Sequence, residues 1–168
     1  WSFFVHSAPH KAVHICQAAA CVDDRKADAI YRYIQTALRM GNKVRNHLTD
    51  PAVVRVMELS RAVGNAAHHY LGFLRFIEIP GGILLARYEP KPRITELIMP
   101  HFVDRFPDER FVIWDTVRNV AGIHVPGQTY IMLTLSENQV AVLKNYTEDN
   151  MPQTKLCRDL EGGMAVHV

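Results

Sequence analysis

A chain of 168 residues, 48% hydrophobic and 21% charged, has the size and composition of one soluble globular domain. Its net charge of +2 is too small to imply a polyanionic partner by itself, and three cysteines (Cys16, Cys21, Cys157) form neither a disulfide framework nor a zinc-ligand spacing. No apolar run approaches the roughly 20 residues of a membrane span and no signal peptide is visible, so a cytoplasmic protein with reduced thiols is expected.

Charge is unevenly placed. Between Arg25 and Arg61 there are eight Lys/Arg against Asp28, Asp50 and Glu58, whereas from Glu137 onward acids outnumber bases five to three. A basic helical half with an acidic tail permits nucleic-acid contact without demanding it. The chain opens at Trp1 inside an apolar run, which reads as a trimmed product with a short strand over Trp1–Val5. Residues 135–168 are weakly patterned, and the whole reads as one domain over 1–168.

Ser7 and Pro9 suit a helix start running to about Ala20. His6, His10 and His14 are spaced by four, but Pro9 separates His6 from the helix. The remaining His10/His14 pair lacks a third metal ligand and reads as two ordinary histidines. Asp23 or Asp24 caps the next helix, whose apolar stripe is Ile30, Tyr33, Ile34, Ala37 and Leu38, with Gly41 as its stop. Arg25, Arg32 and Arg39 recur every seven residues and so share one surface line. Together with Lys43 and Arg45 they could be a solvated face or a ridge that tracks phosphates.

Asp50-Pro51 pairs an N-cap with proline at the first helical position. The helix it opens offers Val53, Val56, Met57, Val63, Ala67 and Leu71 to a core, and Gly72 is its expected end. His68 and His69 diverge by about 100° and cannot face one site. Pro80-Gly81 joins a hairpin of 73–79 and 82–89, with alternation placing Arg75 on an otherwise apolar face. A helix follows over Thr95–Phe106, interrupted or restarted by Pro100, with His101 and Arg105 on a shared polar stripe. A strand at 111–115, a hairpin of 120–125 and 128–135, and a helix near 137–144 complete the pattern. Consecutive strands with tight turns predict an α+β domain: a mainly antiparallel sheet of about five strands with helices packed on one face.

Three segments are unusual in setting ionisable side chains among aromatic ones: Gly72-Phe73-Leu74-Arg75-Phe76, His101-Phe102-x-x-Arg105-Phe106-Pro107 and Asp115-x-x-Arg118. In this order and spacing, and with Asp50-Pro51, they resemble an uncharacterised bacterial family assigned to DNA metabolism. The resemblance covers roughly Arg25 to Tyr130. It implies a repair-linked context, because the family's genes neighbour one for a radical-SAM DNA-modification or repair protein and some members are fused to a uracil-DNA-glycosylase-like domain. This chain departs from the family at Ala66, where a glutamate is common, and lacks its basic C-terminal segment.

Carried over residue by residue, the resemblance marks Arg75, His101, Arg105, Asp115 and Arg118 as candidate catalytic residues, with no metal ligand assigned among them and the cofactor left open. The structural alternative is that Arg75 and Asp115 form a buried ion pair, with Arg118 capping the turn beyond. Three functions compete. The chain could bind DNA or a displaced nucleotide through arginines and aromatics. It could be a hydrolytic enzyme acting on nucleic acid, with His101 as general acid/base and Asp104 or Asp115 orienting it or binding a divalent metal. It could be a non-catalytic partner of the radical-SAM protein. A basic groove, a convergent pocket and a flat apolar patch would respectively favour the three.

Overall fold

The computed structural model describes residues 10–150; the strand read at Trp1–Val5, His6, and the tail beyond 150 with Cys157 lie outside them. The described chain runs α1 (His10–Ala20), α2 (Lys26–Met40), a 3₁₀ turn (Gly41–Asn46), α3 (Pro51–Phe73), β1 (Phe76–Ile79), β2 (Ile83–Tyr88), α4 (Thr95–Arg105), β3 (Arg110–Asp115), β4 (Val120–His124), β5 (Tyr130–Thr134) and α5 (Glu137–Asn150). No described helix is long and apolar enough to cross a membrane.

The start of α3 follows its sequence signal: Asp50 accepts from the Ala52 amide at 2.8 Å, satisfying one of the first-turn donors, and Pro51 has no such donor to satisfy. Its end does not. The helix passes Gly72 and closes at Leu74, whose amide bonds to the Tyr70 carbonyl. A helical glycine costs only about 1 kcal/mol, too little to stop a helix whose neighbouring Ala67, Tyr70 and Leu71 are packed into a core. Gly41, by contrast, takes φ +61° and does end α2.

The five strands lie in sequence order, β1-β2-β3-β4-β5. Three neighbouring pairs are antiparallel, as the hairpin signals imply, but β2 and β3 are parallel, with Ile83 opposite Arg110 and Tyr88 opposite Asp115. The expectation of an α+β domain with a mainly antiparallel sheet therefore holds, with one parallel pair inside it. The link from β2 to β3 is a crossover carrying α4, long enough to return the chain to the same end of the sheet.

Helices also occupy both faces rather than one. On the first face Ala86, Tyr88, Phe111 and Ile113 meet Val63 of α3 and Ile98, Met99 and Phe102 of α4. On the second, Ile79, Leu85 and Trp114 are covered by Val140, Leu143 and Tyr146 of α5. The helix read near 137–144 is present and runs on to Asn150, and its inner side chains cover Trp114. A separate helical core joins α1, α2 and α3 through Ala18, Ala29, Tyr33, Val44, Val53, Val56 and Leu59.

Gly122 fixes how closely α4 lies on the sheet. A Cβ there would stand 2.8 Å from Met99 Cγ and closer still to its sulfur, and Met99 is wholly buried. Gly122→Ala should cost about 1–3 kcal/mol in urea unfolding through overpacking. Adding Met99→Ala should make the pair less damaging than the sum of the two single changes.

Candidate functional site

The five motif residues do not converge. Asp115, its side chain 1% exposed, pairs with Arg118 at 3.0 Å rather than with Arg75. Its other oxygen accepts from the amides of Val117 (2.9 Å) and Arg118 (3.2 Å). The Arg118 guanidinium also donates to the carbonyls of Pro90, at 3.0 Å, and Lys91. Thr116 adds two bonds to the Tyr88 carbonyl, from its amide (3.1 Å) and its hydroxyl (3.3 Å). The cluster clamps the β3–β4 turn to the loop leaving β2. Beneath it the Tyr88 hydroxyl donates to Thr95 at 2.8 Å, and burial pushes that phenol's pKa up.

The buried Arg75–Asp115 pair is thus corrected. Because α3 extends to Phe73 and β1 starts at Phe76, Arg75 falls in the two-residue link between them. It is exposed, makes no ion pair among the described residues, and belongs to an edge two strands, roughly 10 Å, from β3. The arrangement of His101, Arg105 and Arg118 around one concave surface is also not what the fold builds. α4 runs back along the parallel strands, so Arg105 lies towards the Arg110 end of β3 and Arg118 beyond the Asp115 end. The strand between them is about 17 Å long. His101 is exposed with its ring edge-on to Phe102, and the Arg105 guanidinium stands 5.6 Å from the Phe106 ring centroid.

Three other histidines have packing or hydrogen-bond partners within the fold. His14 Nδ1 is 2.9 Å from the Ser60 hydroxyl, which also donates to Gln17 and so ties α1 to α3. His69 stacks on Phe73 at 4.6 Å. Buried His124 lies between the carbonyls of Pro107 and Thr129. Among the described residues no three His, Cys, Asp or Glu side chains gather as a metal site.

Where the structure does assemble charge is the helical layer. A groove of about 780 Å³ runs between α2 and the first turn of α3. Arg32 and Arg39 line it from α2 and Arg25 from the N-cap position just before it, on one line as their sevenfold spacing predicts, and Arg55 lines it from α3. Lys43 is exposed on the 3₁₀ turn outside this lining, and the backbone of Arg45 belongs to the same turn.

The four arginines are not equivalent. Arg32 pairs with Asp28 at 3.0 Å. Arg55 bonds to Glu58 at 3.1 Å and Asp23 at 2.5 Å, and these carboxylates raise its pKa further. Arg25 and Arg39 have no ion-pair partner among the described residues, leaving both charges available.

The groove is closed at one side by a bond between its two helices. The Thr36 hydroxyl donates to Asp50 at 2.9 Å. That bond, with the Ala52 amide, holds the Asp50 carboxyl below its ordinary pKa, so it stays ionised as the cap of α3. Tyr31, 61% exposed, completes the wall, its hydroxyl accepting from Gln35 at 2.9 Å. Tyr31 and Arg55 were missed from sequence. An exposed aromatic beside Arg32 was a usable signal, but nothing local says that α3 brings Arg55 alongside α2.

A second, smaller groove of about 320 Å³ is apolar and lies between the outer faces of β3 and β4 and helix α5, lined by Val112, Ala121, Ile123, Leu135, Val142 and Leu143 among others. Residues 24–157 match the family model of DUF4130, a domain of unknown function, and the chain belongs to that family. No curated protein and no solved structure matches it.

Proposed function

We propose that this DUF4130 domain binds nucleic acid through the sugar-phosphate backbone, in the groove between α2 and the start of α3. One observation carries the reading: four arginines from two helices line a single concavity, two of them unneutralised. Phosphate recognition asks for cationic side chains of adequate reach and no particular base contacts, so the binding is sequence-tolerant and salt-dependent. The motif resemblance supplies the setting, DNA metabolism beside a radical-SAM protein in a reducing cytoplasm. Cys16 and Cys21, both free, are compatible with that compartment.

Charge reversal at Arg25 and Arg39 tests this more sharply than at Arg32, which Asp28 already offsets. In fluorescence anisotropy with a labelled oligonucleotide, Arg25→Glu/Arg39→Glu should weaken binding roughly tenfold or more. It should also flatten the slope of log affinity against log salt by about 2, one phosphate contact per arginine. Unchanged affinity and slope in a variant that melts like the wild type would refute the groove as the contact.

A further inference from the structure

We infer that the ligand of this groove is single-stranded, with a base stacked on Tyr31. This rests on the phosphate-binding reading above and adds to it the form of nucleic acid and the residue that selects it. A protein that reads duplex DNA projects a helix or ribbon into a groove about 12 Å wide. Here the relation is inverted, because the protein supplies the concavity. At about 780 Å³ it is of the size of sites that take a small ligand, room for a short stretch of one strand.

The distribution of side chains fits one extended strand. Arg32 and Arg39 stand two turns apart on α2, about 10 Å along its axis, and Arg25 continues the line at its N-terminal end. Tyr31 sits among them, next to Arg32. It is the exposed aromatic of this wall, 61% accessible, although a tyrosine on an amphipathic helix usually turns inward as Tyr33 does. Gln35, four residues on, donates to its hydroxyl and holds the ring in place without covering it. Every base has a π-face, so a fixed ring beside phosphate-binding arginines gives stacking without sequence preference. The acids at the groove, Asp28 and Asp50, are each engaged, by Arg32 and by Thr36 with the Ala52 amide.

The experiment uses three probes of equal length: oligo-dT, the same phosphodiester chain with abasic sites, and a duplex. Wild-type protein should bind oligo-dT best, and Tyr31→Ala should lose roughly tenfold on oligo-dT while changing little on the abasic chain. Tyr31→Phe should retain the preference, because the ring and not the hydroxyl does the stacking. Circular dichroism melting should be unchanged for both. Equal binding of all three probes, with Tyr31→Ala indistinguishable from wild type, would overturn the stacking assignment while leaving the phosphate reading intact. Failure to bind any of the three would overturn both.

Discussion

Asp115→Ala should remove about 3–5 kcal/mol from the unfolding free energy, because it leaves Arg118 without its carboxylate in a largely enclosed position. The Asp115 side chain is 1% exposed and that of Arg118 19%, so water can compensate little of the loss. The amides of Val117 and Arg118 lose their acceptor at the same time. Asp115→Asn, which keeps an oxygen in place for those amides, should fall between wild type and alanine. The double change Asp115→Ala/Arg118→Ala should cost less than the sum of its parts, since no unpaired charge remains. His101→Ala, at an exposed position without hydrogen bonds among the described residues, serves as the control and should stay within about 0.5 kcal/mol. Chemical denaturation of these proteins, with Arg118→Ala completing the cycle, decides it. A loss below about 1 kcal/mol for Asp115→Ala would mean that the clamp contributes nothing the chain needs.

Trp114→Ala should be as damaging, by about 3–5 kcal/mol, through a different mechanism. The indole is 1% exposed and sits between Leu85 of the sheet and the inner face of α5, so its removal leaves a cavity beneath that helix. Its Nε1–H is buried and has no hydrogen-bond partner among the described residues. Trp114→Phe deletes that donor along with part of the ring and should cost clearly less than alanine. Limited proteolysis provides a second readout, since α5 holds to the sheet through this cluster and should become cleavable when the tryptophan is lost. Equal losses for phenylalanine and alanine would show that the ring volume is not what holds α5.

What could be read from the sequence was local. Asp50-Pro51 announced α3 because a cap and a proline act within one turn, and the spacing of Arg25, Arg32 and Arg39 placed them on one face because helical geometry is periodic. Gly72 misled because a helix end is decided by burial of the preceding turn as well as by propensity. That error placed Arg75 within a strand and made it the expected partner of Asp115, whereas the longer helix leaves it in the link before β1. The actual partner, Arg118, lies three residues away and was within reach of local reasoning. The parallel register of β2 with β3 was not legible, since period-two alternation records which face a residue takes and not which way its neighbour runs. The groove was half legible: one wall is a single helix, and the other is brought to it by packing in the helical core.

That packing has a consequence for how the molecule comes apart. The first half of α3 puts Val53, Val56 and Leu59 into the helical core, and the second half puts Val63 into the core of the sheet. One continuous hydrogen-bonded rod therefore belongs to both layers, and neither layer can melt fully without breaking it. The two layers should unfold as one cooperative unit instead of two foldons, with coincident transitions by fluorescence and circular dichroism. A ligand that settles against Pro51 and Arg55 at the free end of that rod stabilises strands it never touches, its binding free energy appearing as resistance of the whole sheet to unfolding.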